Sequence, residues 1–108
     1  MQKSTWPPGA DGDVFRRLER SGFDFSKTHV VDFNIDTTHW PPHPDLIVAV
    51  EGRFPGARMV EPELGHGYIE FRVEDFVTYD LVISVQREAS ELAAPFGGIC
   101  ESWGVWQQ

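Results

Sequence analysis

The sequence predicts an α+β domain, an antiparallel sheet with helices packed on one of its sides. Three observations predict it. Residues 29–36 and 68–74 alternate apolar with polar side chains, a period of two that marks strands with one dry and one wet face. Other segments space their apolar residues at three and four, as amphipathic helices do. Taken in order, the segments read helix, strand, helix, strand, strand, helix, strand, and wet-faced strands fit helices on a single side.

Residues 1–9 read as a flexible leader, because Pro7, Pro8 and Gly9 break regular structure, and residues 10–108 as the domain itself. The first helix is expected to begin at Asp11 or Asp13, either of which can accept from the free N–H groups of a first turn. Val14, Phe15 and Leu18 share one side of it, and Gly22 stops it. In residues 29–36, Val31, Phe33 and Ile35 alternate with Asp32, Asn34 and Asp36. Trp40-Pro41-Pro42-His43-Pro44 follows as a stiff connector, and Pro44 suits the first position of a helix. Leu46, Ile47, Val50 and Phe54 form that helix's apolar stripe, and Pro55-Gly56 ends it.

Residues 57–61 form a short strand, and Pro62 marks it as a sheet edge. Gly65-His66-Gly67 is a hairpin turn, and it lacks the N–H array of a phosphate loop because it opens no helix. In residues 68–74, Ile69, Phe71 and Val73 face the core while Tyr68, Glu70, Arg72 and Glu74 face out. The last helix spans 78–94, with Thr78 as N-cap and Leu81, Val82, Val85, Ala89, Leu92 and Ala93 on its buried face. Residues 99–106 form the final strand. Its buried face stays open: Ile99, Trp103 and Val105 favour one side, but Glu101 shares their parity. Without the first helix the order is βαββαβ, the ferredoxin-like split arrangement, with strands 29–36 and 68–74 at the centre of the sheet.

At 108 residues there is room for one domain and one core. With 41% hydrophobic and 13% aromatic residues, that core needs neither disulfide nor metal. Cys100 is the single cysteine and has no internal partner, which with the absence of a signal-like N-terminus points to a reducing cytoplasm. No apolar run approaches the ~18 residues that span a bilayer. The net charge is −8, and of the nine Lys and Arg only Arg16, Arg17 and Arg20 sit close together. Such a chain repels phosphates, so direct nucleic-acid binding is disfavoured and a basic protein segment is the easier partner. Solubility alone would also explain the charge. A monomer or weak dimer is expected.

Three stretches carry a family resemblance. One runs from Asp11-Gly12-Asp13-Val14 through Ser21-Gly22-Phe23-Asp24. The second is His29-Val30-Val31-Asp32-Phe33. The third and most specific is Leu92-Ala93-Ala94-Pro95-Phe96-Gly97-Gly98-Ile99-Cys100-Glu101-Ser102-Trp103-Gly104. In their order and spacing over roughly residues 11–106 the chain resembles the regulator of ribonuclease E activity B family (RraB), the ribonuclease E inhibitors. The loop from Trp40 to Pro44 departs from the family pattern. The resemblance implies a ferredoxin-like sandwich without a cofactor, whose task is to bind ribonuclease E and restrain its cleavage of RNA.

The residues themselves name a candidate surface. Asp32, Glu70 and Glu101 are expected to converge on the open sheet face beside Asn34, with Arg72 neutralising part of their charge. Trp40 and Trp106 lie in a proline-rich loop and near the terminus, where exposed indoles suit a protein interface. Alternatively, the Trp-bearing segments fold back over the open face. Partner binding is therefore assigned to Asp32, Asn34, Glu70, Glu101, Trp40 and Trp106, with no catalytic, cofactor or metal residue.

Other chemistries are weaker. His39 and His43 have a spacing that suits a metal on a helix, with Asp36 and Asp45 nearby, but Pro41, Pro42 and Pro44 forbid that helix. Cys100 sits beside Glu101, which opposes thiolate formation, so it reads as a buried strand residue. The rival functions are an acidic adaptor or immunity-type protein that neutralises another partner, and a small enzyme using paired carboxylates. The enzyme requires a cleft that raises a carboxyl pKa.

Overall fold

Alternation of side chains in two long segments builds the centre of the sheet. The computed structural model describes residues 6–61 and 65–106. In it, α1 (Ala10–Arg20) precedes β1 (Thr28–Thr37), α2 (Pro44–Arg53), β2 (Arg58–Val60), β3 (Tyr68–Phe76), α3 (Tyr79–Ala93) and β4 (Gly98–Val105), with a single 3-10 turn at Ala94–Phe96. The strand order is β2-β3-β1-β4 and every pairing is antiparallel. This is the ferredoxin-like order with one added N-terminal helix, and the two alternating segments are its central strands. Pro62 and residues 1–5 of the leader lie outside the described residues.

All three helices pack on one face. Val31, Phe33, Ile35, Ile69, Phe71 and Cys100 point inward from the sheet and meet Phe15 of α1, Leu46 and Val50 of α2, and Val82, Val85 and Ala89 of α3. Phe33 and Phe71 are cross-strand partners with ring centroids 5.3 Å apart, and Phe54 stacks on Phe71 at 4.0 Å. Burying each such side chain contributes about 1.5–3 kcal/mol.

The helix ends follow local chemistry, with one correction. Neither Asp11 nor Asp13 caps α1: the N-cap is Gly9, which has no side chain to offer. Both carboxylates are taken elsewhere. Asp13 pairs with Arg16, while Asp11 accepts from Trp103 Nε1 (2.8 Å) and Gln86 Nε2 (3.3 Å), tying α1 to β4 and α3. At the other end Gly22, at φ 81°, permits a Schellman closure in which Phe23 N–H donates to Leu18 and Gly22 N–H to Glu19. His43 caps α2, its Nδ1 accepting from Asp45 N–H at 3.0 Å, and Thr78 caps α3 by accepting from Leu81 N–H at 3.1 Å.

The part of the leader that is described folds back on the domain. Trp6 packs against Phe15 with ring centroids 4.6 Å apart and nears Phe25 at 5.6 Å. Arg16 donates to the carbonyls of Trp6 (3.1 Å) and Pro7 (3.2 Å). Pro7 lies so close to α1 that a Cβ on Gly12 would stand 1.7 Å from its carbonyl oxygen. This strap packs beside α1 and not on the open face of the sheet.

The parity of the last strand is set by a β-bulge. Asn34 pairs with Ser102 but Ile35 pairs with Cys100, which leaves Glu101 as the extra residue. Cys100, Trp103 and Val105 can therefore all face inward although they do not share a parity. Ile99, grouped by its spacing with Trp103 and Val105, pairs instead with Asp36 and is 47% exposed. Ser90 of α3 bonds both backbone groups of Cys100, donating to its carbonyl (3.2 Å) and accepting from its N–H (2.9 Å). That contact covers part of an otherwise free sheet edge.

Candidate partner-binding face

Antiparallel register places alternate residues of four strands side by side on the face opposite the helices. Asp32 lies across from Arg72 on one side and Gly104 on the other, and Asn34 lies between Glu70 and Ser102. Arg58 of β2 lies across from Glu70. A cross-strand row of this kind brings side chains to interaction distance without any loop having to order.

The row is a relay of charge. Arg58 Nε donates to Glu70 Oε1 at 2.9 Å, Arg72 Nη2 approaches the same oxygen at 3.5 Å, and Arg72 Nε donates to Asp32 Oδ1 at 3.1 Å. The other oxygen of Asp32 accepts from the indole N–H of Trp106. The Arg72 guanidinium lies over the Trp106 ring, 4.1 Å from its centroid. Trp106 reaches this position because its backbone N–H continues the ladder by donating to Val30 at 3.0 Å. Asn34 Nδ2 donates to Ser102 Oγ at 3.3 Å, while its side-chain oxygen is buried with no hydrogen-bond partner among the described residues.

Of the six residues assigned to partner binding, the structure gathers four. Asp32, Asn34, Glu70 and Trp106 share this face. Glu101 sits in the bulge, exposed, and shares no partner with Asp32 or Glu70. Trp40 is engaged elsewhere: its indole N–H donates to Glu61 Oε1 at 3.0 Å, and its ring lies where a Cβ on Gly67 would fall, 2.4 Å away. Sequence reasoning missed Arg58. Its signal was the register of the β2–β3 hairpin, which alternation alone does not supply. It also ended β3 too early, at residue 74, and so overlooked Phe76, which pairs with Thr28 on the open face and is 48% exposed.

The face as built is less acidic than the sequence suggests. Two arginines answer two carboxylates across its centre, so the carboxylates without an ion pair among the described residues lie toward its ends, at Glu74 and Asp36. Hydrogen bonding to Arg16 holds Asp13 below the usual carboxylate range, and bonds from Ser26 do the same for Asp24. Burial, followed by the nearby Asp36, Asp11 and Glu101 carboxylates, pushes the Cys100 thiol up to about 12. Among the described residues no group of three His, Cys, Asp or Glu is placed to hold a metal ion. No helix among them is long and apolar enough to cross a membrane.

Among known protein families, the model described as RraB, regulator of ribonuclease activity B, matches residues 9–105. No protein of curated function matches the chain.

Proposed function

The chain belongs to the RraB family, regulators of ribonuclease activity, and from that premise we propose that it acts by binding ribonuclease E and lowering its cleavage of RNA. It does so in the cytoplasm, as a non-catalytic monomer or weak dimer. The binding surface is the helix-free sheet face. Asp32, Asn34 and Glu70 line its centre and Trp106 stands at one end, with Glu101 exposed in the neighbouring bulge, while Trp40, bonded to Glu61, stands apart from it. The enzyme presents a basic segment: charge complementarity speeds the encounter and the exposed indole holds the complex.

One observation carries this reading. An entire sheet face lies free of helices among the described residues and ends in a 45% exposed tryptophan held in place by Asp32 and Arg72. A tryptophan with a fixed orientation loses little entropy on binding. The same row argues against the adaptor or immunity reading, in so far as that role rests on mimicry of a polyanion. Mimicry needs unanswered carboxylates in series, and here Arg58 and Arg72 answer Glu70 and Asp32.

The test is co-purification with the host ribonuclease E, with Trp106→Ala and Asp32→Asn compared with the unchanged protein. Each substitution is expected to weaken the complex by about tenfold or more, the loss typical of a hot-spot residue. Undiminished capture by both variants would remove the sheet face as the binding surface.

A further inference from the structure

The unanswered charge of the sheet face is not where its carboxylates are densest. Asp32 and Glu70 are engaged by Arg72 and Arg58. Glu74 is exposed and has no ion pair or hydrogen bond from its side chain among the described residues. It lies across β1 from Val30, and Trp106 binds the backbone of that same Val30 from the other side. Glu74 and Trp106 therefore flank one residue.

A groove of about 460 Å³ opens at this point, with Gly22, Phe23, His29, Val30, Glu74 and Trp106 in its walls. Its composition is specific. Phe23 and His29 pack with ring centroids 4.3 Å apart and planes tilted by 36°, which makes one side aromatic. Trp106 already carries one guanidinium, that of Arg72, over its ring and is still 45% exposed. Lys27, also in the groove wall, lies 3.9 Å from Asp24, and no ion pair reaches Glu74 among the described residues.

We infer that this groove receives an arginine side chain from a segment of the partner protein. The inference rests on the docking reading above and adds the residue type that the partner presents. A planar guanidinium can lie against aromatic rings while donating in its own plane to a carboxylate, here Glu74. A lysine ammonium has no flat apolar face and is more strongly hydrated, so the aromatic walls favour arginine. Arg72 on Trp106 is the intramolecular version of the same contact.

The experiment uses the full chain labelled with nitrogen-15 and two short peptides, one alternating glycine with arginine and the other glycine with lysine. The arginine peptide is expected to shift the Gly22 and Glu74 amides and the Trp106 indole N–H saturably, and to bind more tightly than the lysine peptide. Glu74→Gln and Trp106→Leu are each expected to weaken it by about threefold. Equal binding of the two peptides, shifts centred elsewhere, or indifference to Glu74→Gln would overturn the inference. Shifts that grow on concentrating the protein alone would give the groove to a second copy and overturn it equally. If ribonuclease E capture survives Glu74→Gln but is lost with Asp32→Asn, the groove falls and the docking face stands. If Asp32→Asn and Trp106→Ala both leave capture intact while the arginine peptide still binds here, the docking reading falls and the groove stands.

Discussion

The Arg72 guanidinium lies 4.1 Å from the centroid of the Trp106 ring, and the same side chain reaches Asp32 at 3.1 Å and Glu70 at 3.5 Å. Arg72 thus acts as a resident cation of the surface proposed to meet a basic partner. Arg72→Leu would leave Asp32 without a cation partner among the described residues and add one net negative charge. Because these are exposed pairs, the expected loss of stability is below about 1 kcal/mol. Association with a basic partner should instead become faster at low salt and fall off more steeply as salt is added. Stopped-flow association over a salt series checks this, and a slower or unchanged low-salt rate would count against electrostatic steering by this face.

Gly12 and Gly52 offer a paired test of the N-terminal strap. Both are helical, but a Cβ on Gly12 would meet the Pro7 carbonyl oxygen at 1.7 Å, while a Cβ on Gly52 meets nothing within 4 Å. Alanine gains up to about 1 kcal/mol over glycine in a helix interior. At position 52, one residue from the end of α2, part of that gain should appear as a higher midpoint of thermal unfolding. At position 12 the obstacle is backbone, so Trp6 and Pro7 must lift away from α1 and the Trp6–Phe15 contact must loosen. A net loss of about 1–2 kcal/mol is expected. Should Gly12→Ala stabilise the protein as Gly52→Ala does, the strap contributes nothing to the fold.

Much of this architecture was legible because it rests on periodicity. Alternation around Val31-Phe33-Ile35 and Ile69-Phe71-Val73 identified the two central strands, and the element order then placed them in the sheet. What escaped the sequence depends on relations that periodicity does not carry. The bulge at Glu101 shifts parity by one residue, so Ile99 and Trp103 fall on opposite faces although their spacing says otherwise. Asp11 reads as a helix cap, yet its oxygens are claimed by Gln86 and Trp103, far away in the chain. In the candidate site, Asp32, Asn34 and Glu70 were readable from their alternation. The pairing of Arg58 with Glu70 was not, since it needs the register of a hairpin. Nor was the engagement of Trp40 by Glu61 and Gly67.

Cys100 offers a prediction in pH. Its side chain is 4% exposed, and burial with the surrounding carboxylates raises its pKa from 9.0 to about 12. The folded value lies above the unfolded one, so the stability linked to this thiol is complete below about pH 9 and is lost as pH climbs toward 12. In that window the unfolded chain has released a proton that the folded chain still holds. Other groups titrate there too, so the informative quantity is the difference in unfolding free energy between the protein and Cys100→Ala. That difference should be flat near neutral pH and shrink by about 1.4 kcal/mol per pH unit above pH 9. Alkylation gives an independent reading: at about pH 8 the folded protein should react far more slowly than a free cysteine, and urea should restore the rate. Rapid alkylation of the folded protein would mean that the Cys100 thiol reaches solvent, and the inward parity derived from the bulge would then be wrong for the strand that also carries Trp103.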